Sequence, residues 1–346
     1  MSASFIQSII PQRVVFASGA LARVGEEAER LGFTRALVIA TPGSGARLGA
    51  RVVDLLGQRT AGLHAGAVVH VPRATVEHGL AAAREQQADG LVAVGGGAAI
   101  GLAKAITLQT DLKILAVPTT YSGSEATPIW GTTEGERKTT GRDPRVVPRT
   151  ILYDPDLTLG LPAAVSAASG MNAIAHCVEG LWIPERTPFT EALAADALAR
   201  FARHLPRVVA DGNDRAARAE CLIAAWLAGT VLTTGTGLHH KLAHVLGGLG
   251  LPHAETHAVI LPHVTRFNLA IREDVRGRLA RAVGHDDPAA ALEAMLRQFP
   301  IPQRLSDVGF ERARIPEVAA QAAALGIKEP RQVTAEGVAA LLVAAS

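Results

Sequence analysis

The stretch LVAVGGGAAIGLAKAITLQ, residues 91–109, contains a strand signal, a glycine turn and a helix signal in immediate succession. The run LVAV is apolar and partly β-branched, Gly95, Gly96 and Gly97 follow it, and an alanine-rich segment comes next. A second apolar run, KILAVP, follows the helix signal. Because a helical crossover between two buried strands makes those strands parallel, this stretch predicts an α/β fold built on a parallel sheet.

The same alternation runs through the first half of the chain. The predicted strands are RVVFASG (13–19), RALVIATPGSG (35–45), LVAVGGG (91–97), KILAVP (113–118) and RTILYDP (149–155). The predicted helices between them are ALARVGEEAERLGF (20–33), GARVVDLLGQ (49–58), ATVEHGLAAAREQQADG (74–90) and the segment after the glycine turn. This rhythm predicts a Rossmann-like sheet with helices on both faces.

The pattern changes after the strand RTILYDP. The second half is rich in Ala and Leu at helical spacing and has few β-branched runs. Its predicted helices include FTEALAADALARFARHL (189–205), RAARAECLIAAWLAGTVL (215–232), VRGRLARAVG (275–284), ALEAMLRQF (291–299) and VTAEGVAALLVAA (333–345). We therefore predict two domains, an α/β dinucleotide-binding domain over 1–158 and an all-helical catalytic domain over 159–346.

Composition narrows the class of protein. The 346 residues are 48% hydrophobic and 19% charged, which is typical of an ordered globular enzyme. A formal net charge of +2 and the lack of a basic stripe argue against nucleic acid and anionic membranes as partners. Cys177 and Cys221 form no CxxC pair, and the N-terminus has no secretory pattern. We expect a cytoplasmic protein without disulfides.

Two polar turns follow apolar strands and are candidates for cofactor binding. The glycines at 95–97 precede a helix, whose free N–H groups favour a phosphate, although a glycine turn packed tightly for steric reasons fits equally well. The spacing is neither GxGxxG nor a P-loop. The second turn, TTYSGS, supplies Thr119, Thr120 and Tyr121 at the carboxyl end of a strand, where open α/β sheets bind ligands.

Half of the twelve histidines fall in one window, GLHHKLAHVLGGLGLPHAETHAVILPH, residues 237–263. His240 and His244 are four residues apart and share a helix face, and His253 follows a glycine-rich break. Upstream, Asn172 and His176 have the same spacing in SGMNAIAHCVEG. A lone histidine is usually a hydrogen-bonded core or surface residue, but this coherent set predicts a shared polar pocket.

The pocket suits either a divalent metal or histidine acid–base chemistry. His176, His240 and His253 offer three nitrogens, but the natural fourth ligand position holds Asn172, whose amide oxygen is neutral. Replacing a carboxylate by an amide removes a charge attraction worth several kcal/mol in a partly buried site, by order of magnitude. We therefore interpret the histidines as general acids and hydrogen-bond donors.

The motifs GGGAAIGLAKAI, PTTYSGSEATPIWG, TTGRDPRVVPRT, SGMNAIAHCVE and LHHKLAHVLGG…LPHAETHAVILPH resemble those of the maleylacetate reductases. That family is a branch of the iron-containing alcohol dehydrogenase superfamily, which is similar in fold to dehydroquinate synthase. The resemblance covers nearly the whole chain. Three segments depart from it, Ser122 in PTTYSGSE, GLWIPERTPFT (180–190) and LGIKEPRQVT (325–334), and they bear on the exact substrate.

The resemblance implies residue roles. In metal-dependent relatives an Asp at the position of Asn172 binds the metal with histidines matching His176, His240 and His253, so Asn172 implies a metal-independent enzyme. His244 matches a histidine beside the nicotinamide. The glycines at 95–97 match the pyrophosphate loop, Thr119 and Thr120 the second cofactor loop, and Lys138 a lysine near the nicotinamide ribose.

The resemblance also implies an activity, the NAD(P)H-dependent reduction of the C=C bond of maleylacetate to 3-oxoadipate by a homodimer. Thr41 stands where NAD-specific relatives often carry a carboxylate, so NADH is expected and NADPH tolerated. We assign Tyr121 and Lys241 to substrate binding, with His239 and Arg142 as further partners of its carboxylates. For Lys241, His239 and Arg142 the alternative is a solvated surface position without a ligand. The alternatives are a metal-dependent alcohol dehydrogenase, a reductase of another unsaturated oxo-diacid, a cyclase like dehydroquinate synthase and a protein that binds without catalysis.

Overall fold

The glycine turn ends a central strand of a six-stranded parallel sheet in the computed structural model, which describes residues 5–135, 137–327 and 329–346. The strands are β1 Arg13–Phe16, β2 Ala36–Ile39, β3 Thr60–His64, β4 Gly90–Gly95, β5 Lys113–Pro118 and β8 Thr150–Tyr153. Their order in the sheet is β1-β8-β5-β4-β2-β3, and every neighbouring pair is parallel. The predicted fold class is confirmed.

Apolar side chains project from both faces of this sheet and form two separate hydrophobic cores. Leu37 and Leu91 pack on one face with Ile106, whereas Val38 and Val92 pack on the other. The helices that cover the faces are α1 Val24–Arg30, α2 Ser44–Leu56, α3 Arg73–Glu85 and α4 Gly97–Thr110. Burial on both faces explains why these strands are continuous apolar runs.

Three strands were not predicted. The edge strand β3, TAGLH, is half-buried along its length and has no apolar run. A hairpin of β6 Ile129–Glu134 and β7 Arg137–Arg142 forms a separate two-stranded antiparallel sheet. Its sequences, IWGTTE and RKTTGR, are polar, so the hairpin lacks the hydrophobic pattern from which strands are predicted.

The second compact unit is built from helices. They are α5 Ala163–Gly180, α6 Pro188–Ala210, α7 Arg215–Leu232, α8 Leu238–Gly247, α9 His253–Leu269, α10 Glu273–Val283, α11 Pro288–Gln298, α12 Ile315–Ala324 and α13 Ala335–Ala345. Helix α7 has the bounds predicted from the sequence. In the described part of the chain, no helix has the length and apolarity needed to cross a membrane.

The chain divides at Leu161, since Ser8–Leu161 forms the α/β unit and Pro162–Ser346 forms the helical unit. Residues 5–7 also belong to the helical unit. There the hydroxyl of Thr187 donates to the Oε1 atom of Gln7 over 2.7 Å, next to the start of α6. The predicted boundary, 158/159, placed these first residues in the α/β domain.

Candidate active site

Six histidines of the helical unit form one connected group of imidazole rings. Helix α5 contributes His176, α8 contributes His239, His240 and His244, and α9 contributes His253 and His257. Helix α9 begins at His253, directly after Pro252, whose fixed φ suits the residue before a helix. The four-residue spacing within α8 and α9 turns His240 and His244, and likewise His253 and His257, to the same side of each helix.

Each imidazole ring of the group lies against at least one other ring. The centroids of His176 and His240 lie 4.9 Å apart in a stacked arrangement. His257 lies 4.8 Å from His240 and 4.4 Å from His253, and His253 lies 6.2 Å from His244. The four histidines assigned to catalysis from the sequence are thus brought together, and His257 links them. No role was predicted for His257 from the sequence, although it follows His253 at the same four-residue spacing that identified His240 and His244.

His239 is fully buried, which excludes the surface alternative and leaves its assignment to the substrate carboxylates a prediction. Its Nε2 atom lies 2.9 Å from the carbonyl oxygen of His257. A carbonyl only accepts, so Nε2 of His239 carries the proton and Nδ1 carries the lone pair. His239 therefore ties the start of α8 to α9.

A buried carboxylate, Glu179 on α5, holds the first turn of α8. Its oxygens accept hydrogen bonds from the backbone amides of Gly237 over 2.9 Å and His239 over 2.6 Å. Its Oε2 atom also lies 2.6 Å from Nδ1 of His240. Anionic oxygens at a helix N-terminus satisfy its free N–H groups and interact favourably with its dipole. Glu179 was not predicted from the sequence, although it follows Asn172 and His176 at helical spacing, seven and three residues on.

A second carboxylate, Glu329, accepts a hydrogen bond from the backbone amide of Leu238 in the same turn. Its Oε2 atom accepts a hydrogen bond from Nδ2 of Asn268 over 2.9 Å. Burial and the charge of Glu179 raise the pKa of Glu329 to about 8. Burial also acts to raise the pKa of Glu179, but the charge and hydrogen bond of His240 outweigh it and lower that pKa. Glu329 therefore holds a proton at neutral pH while Glu179 is ionised.

Burial makes the interior of the histidine group unfavourable for positive charge. It lowers the pKa of His176 and of His257 well below the ordinary value, with the neighbouring histidines acting in the same direction. Burial and His240 lower the pKa of His239 to about 4. These three rings are neutral at pH 7, so each offers one N–H donor and one lone pair.

The donor set does not match a metal site that includes an anionic ligand. Among the described residues, the group of His, Cys, Asp or Glu side chains that could share an ion is His239, His240 and His257, all histidines. Both oxygens of Glu179 are occupied by α8. Asn172, one turn before His176, has a buried Oδ1 atom with no hydrogen-bond partner among the described residues. A divalent cation here would be bound by neutral atoms alone.

The two predicted cofactor loops lie side by side in the α/β unit. Strands β4 and β5 pair so that Gly95 lies opposite Pro118, and the amide of Thr119 donates to the carbonyl of Gly95 over 3.2 Å. Gly95 has a φ of +141°, which side-chain-bearing residues rarely adopt. A Cβ atom on Gly96 would lie 2.7 Å from the Thr120 side chain, whereas one on Gly97 would meet nothing within 4 Å. The open start of α4 at Gly97 therefore fits a phosphate.

The remaining residues that were predicted to bind the cofactor or the substrate differ in their exposure. Thr41 is half-buried after β2, and its hydroxyl lies against Gly45 in the first turn of α2. Lys138 is exposed on β7, opposite Thr133 of β6. Tyr121 is fully buried within the α/β unit, whereas Lys241 is exposed on α8. Their assignments to cofactor or substrate remain predictions.

A buried lysine fixes the backbone that follows the second cofactor loop. Nζ of Lys104 on α4 donates to the carbonyls of Ser124, Thr127 and Ile129 over 2.6–2.8 Å. Burial lowers the pKa of Lys104 to about 7, while Glu125 acts in the opposite direction. Glu125 in turn accepts a hydrogen bond from the hydroxyl of Tyr153 over 2.7 Å. Lys104 and Glu125 belong to the sequence motifs GGGAAIGLAKAI and PTTYSGSEATPIWG, but no role was predicted for either residue.

Comparison with known proteins places the chain among oxidoreductases. The family model described as "Iron-containing alcohol dehydrogenase" matches residues 11–155, and the model for the C-terminal part of that family matches residues 166–346. A maleylacetate reductase from Sphingobium indicum is 45% identical over 98% of this chain and 96% of its own length. Maleylacetate reductase 2 of Cupriavidus pinatubonensis is 49% identical, over 99% and 96%.

Solved structures agree with these relationships. The crystal structure of maleylacetate reductase from Agrobacterium tumefaciens superposes with a TM-score of 0.95 at 40% identity, covering 99% of this chain and 98% of that one. The structure of a 1,3-propanediol oxidoreductase superposes with a TM-score of 0.92 at 30% identity, covering 99% and 100%.

Proposed function

Because the chain belongs to the iron-containing alcohol dehydrogenase family and is an oxidoreductase, we propose that it reduces the C=C bond of maleylacetate to 3-oxoadipate with NADH. Its similarity to maleylacetate reductases over 98–99% of its length supports this substrate. The observation that carries the proposal is the group of buried imidazoles around His240 and His257, in which His176, His239 and His257 are neutral, beside an amide where an anionic metal ligand would be needed.

The proposed reaction adds a hydride and a proton across a C=C bond that is conjugated to a ketone. The hydride, which bound NADH supplies, goes to the carbon β to the ketone. Negative charge then develops on the ketone oxygen, and a proton is added at the α-carbon. Imidazole N–H groups of His176, His240 and His253, together with Asn172, are suited to stabilise that oxygen. One such preorganised donor typically lowers the barrier by about 3–4 kcal/mol.

Metal independence is part of the proposal. An enolate oxygen needs hydrogen-bond donors or a cation, and the neutral imidazoles supply donors without a cation. Asn172 contributes an amide in place of a carboxylate, and Glu179 is committed to α8 and His240. In a buried site the attraction between a carboxylate and a divalent cation is worth several kcal/mol, by order of magnitude. That contribution is missing in this chain.

We assign the dinucleotide to the loops of the α/β unit. The open start of α4 at Gly97 would bind the pyrophosphate, with Thr119 and Thr120 beside it and Lys138 at the nicotinamide ribose. Thr41 carries no charge that would repel a 2′-phosphate, so NADPH would be accepted with lower efficiency than NADH. His244 would contact the nicotinamide, and Tyr121 and Lys241 the substrate.

The direct test is NADH oxidation, followed by absorbance, with freshly prepared maleylacetate and with or without EDTA. The proposal predicts turnover that the chelator does not change and a product identified as 3-oxoadipate by mass spectrometry. An absence of turnover with maleylacetate would contradict the assigned substrate, and another unsaturated oxo-diacid would then be tested.

A metal-dependent alcohol dehydrogenase is the second candidate, because His239, His240 and His257 could share an ion. It predicts that EDTA abolishes activity, that Fe²⁺ or Zn²⁺ restores it, and that a simple primary alcohol reduces NAD⁺. Metal content of the purified protein, measured by plasma mass spectrometry, distinguishes the two candidates without reference to turnover.

A further inference from the structure

Lys104 is a buried cation on α4 whose hydrogen bonds, in the described part of the chain, go to one short stretch of backbone. Its Nζ atom donates to the carbonyl oxygens of Ser124, Thr127 and Ile129, and it lies 3.0 Å from the hydroxyl oxygen of Thr127. An ammonium has three N–H donors and no lone pair, so it satisfies three carbonyls at once. A neutral amine would turn a lone pair toward one of them. The acceptors therefore fit the protonated form of Lys104.

Burial makes this cation costly. It lowers the pKa of Lys104, and the charge of Glu125 acts in the opposite direction without cancelling it. The Oε1 atom of Glu125 accepts a hydrogen bond from the hydroxyl of Tyr153 over 2.7 Å. A methionine side chain has nearly the length of lysine and would fill the same space with no charge to desolvate. What Lys104 provides beyond an apolar residue is its hold on the backbone between residues 124 and 129.

That backbone is the second half of the loop that joins β5 to β6, and the first half carries Thr119 and Thr120. The amide of Thr119 donates to the carbonyl of Gly95 over 3.2 Å, and the Thr120 side chain lies against Gly96. The two halves meet at Gly123, which has a φ of +70°. Fixing the second half therefore restricts where the first half lies against the glycine turn.

Helix α4 connects Lys104 to the glycine turn directly. The helix begins at Gly97, whose open start fits a phosphate, and Lys104 follows seven residues later. Seven residues are close to two turns, so Gly97 and Lys104 lie on the same face of α4, about 10 Å apart along its axis. One helix thus presents the proposed phosphate site with its first turn and holds the second cofactor loop with its third.

We propose that Lys104 is a positioning residue for NADH, which sets Thr119 and Thr120 against the glycine turn by fixing the backbone at residues 124, 127 and 129. The inference rests on the proposed function, because it takes these two loops as the dinucleotide site. Lys104 acts through the loop and does not touch the cofactor. Without its ammonium the three carbonyls lose their donor, and NADH must order the loop at a cost in affinity.

The test compares wild type with Lys104→Met, Thr127→Val and Thr107→Val as full-length proteins. Lys104→Met keeps the length of the side chain and removes its donors. Thr127→Val removes one acceptor of Lys104 and serves if Lys104→Met does not fold. Thr107→Val is the matched control, because the buried Thr107 hydroxyl, also on α4, donates to the carbonyl of Leu112 over 2.8 Å and does not contact the loop through that bond.

Three measurements are made on each protein. Fluorescence titration gives the NADH Kd, and turnover with maleylacetate gives kcat and the KM of each substrate. Hydrogen–deuterium exchange of the unliganded protein, followed by mass spectrometry, reports on the peptide spanning residues 119–129. A thermal melt of each variant measures the general loss of stability.

We expect Lys104→Met to raise the NADH Kd and the KM for NADH about tenfold or more, because hydrogen bonds to a charged group are among the stronger ones in proteins. At saturating NADH its kcat, and its KM for maleylacetate, stay within about threefold of wild type, as for a loss confined to cofactor binding. The peptide 119–129 exchanges faster. Thr127→Val changes the same quantities in the same direction by less.

The control and the double variant separate positioning from stability. Thr107→Val lowers the melting temperature through its lost hydrogen bond, but it keeps the NADH Kd within about twofold of wild type. In the double variant of Lys104→Met with Thr127→Val, the second change removes a partner that is already lost. Its effect on the NADH Kd is therefore smaller than the product of the two single effects.

The inference is overturned if Lys104→Met binds NADH as wild type does, if its loop exchanges no faster, or if Thr107→Val weakens NADH binding equally. Failure of the assigned substrate is distinguishable, since wild type would then bind NADH without reducing maleylacetate, and the Kd and exchange data still decide the role of Lys104. A wild type that binds no NADH would overturn the cofactor assignment and this inference together.

Discussion

Asn172 presents a neutral amide oxygen one helical turn before His176, and that oxygen has no hydrogen-bond partner among the described residues. If this neutrality keeps metal out, Asn172→Asp should create an anionic ligand beside the imidazoles. We expect the Zn²⁺ affinity to rise about tenfold or more, because a gain of only 1.4 kcal/mol is a factor of ten. Isothermal titration calorimetry on metal-free protein measures this change.

The double variant Asn172→Asp with His176→Ala is the control for that gain. Removing the imidazole next to the new carboxylate should return Zn²⁺ affinity to that of wild type. Equal Zn²⁺ affinity of wild type and Asn172→Asp would contradict the charge argument. Metal independence would then need another explanation.

Glu329 predicts how stability depends on pH. Its pKa is about 8 in the folded protein, against an ordinary value of 4.5. Between those values the folded chain holds a proton that the unfolded chain has released. The stabilisation is therefore complete below about pH 4.5, and it is lost as the pH rises to about 8. Glu329→Gln should remove from this fall a slope of about 1.4 kcal/mol per pH unit, the value for one proton.

Melting temperatures of wild type and Glu329→Gln at intervals between pH 5 and 9 test the prediction. The glutamine oxygen still accepts from the Leu238 amide. The Oδ1 atom of Asn268 has no hydrogen-bond partner in the described part of the chain, so the Asn268 amide is able to turn it toward the new NH₂ group. Parallel melting profiles for the two proteins would contradict a proton held on Glu329.

At the residue scale, the sequence predicts side chains that repeat on one helix and misses those that meet between helices. Asn172 and His176, or His240 and His244, are recognisable because helical spacing places them together. Glu179 precedes His240 by 61 positions, so only the packing of α5 against α8 reveals their hydrogen bond. His257 has the right spacing from His253 but lacks a motif of its own.

At the scale of elements, the turn between β4 and α4 provides a matched pair of glycines. A methyl group on Gly96 would lie 2.7 Å from Thr120, whereas one on Gly97 would enter open space at the start of the helix. Gly96→Ala should therefore lower the melting temperature. Gly97→Ala should leave it unchanged but weaken NADH binding about tenfold or more, because the methyl group would occupy the position of the pyrophosphate.

Fluorescence titration with NADH and thermal melts of both variants check this pair. Gly97→Ala that binds NADH as wild type does would contradict the assignment of the pyrophosphate to this turn. Gly96→Ala with an unchanged melting temperature would show that Thr120 moves aside without cost.

Helices and strands can be predicted from the sequence where they are buried on one face or on all sides. Strands β2, β4 and β8 are buried at every position, so their apolar runs are unambiguous. Strand β3 and the hairpin β6–β7 are half-buried or exposed. Their sequences therefore lack a continuous apolar run, and their polar and glycine residues are as typical of turns as of strands. The strand order does not follow from hydrophobic patterns, because any buried parallel strand shows the same pattern.

At the scale of the whole molecule, strand β1 lies at one edge of the sheet, and an apolar N-terminal segment precedes it. Ile6 is 93% exposed and Ile9 is 65% exposed, which is unusual for isoleucine in a monomer. We predict that the chain forms a homodimer through this segment. Ile9→Lys should then shift the protein toward the monomer in light scattering coupled to gel filtration.

Ile271→Lys is the matched control for this prediction, because Ile271 is 53% exposed just after α9 and lies far from residue 9 in the chain. It should leave the dimer intact. A wild-type protein with the mass of a single chain would contradict the prediction outright. A dimer that resists Ile9→Lys would place the interface elsewhere.

The amide of Asn172 also has a genetic consequence. Asparagine codons differ from aspartate codons in their first base alone, so a single transition in the gene exchanges the neutral oxygen for an anionic one. The helices that present His176, His240 and His253 need no rebuilding for that exchange. On the proposed function, enzymes of this architecture lie one point mutation away from recruiting a metal, and selection is able to cross that distance in either direction.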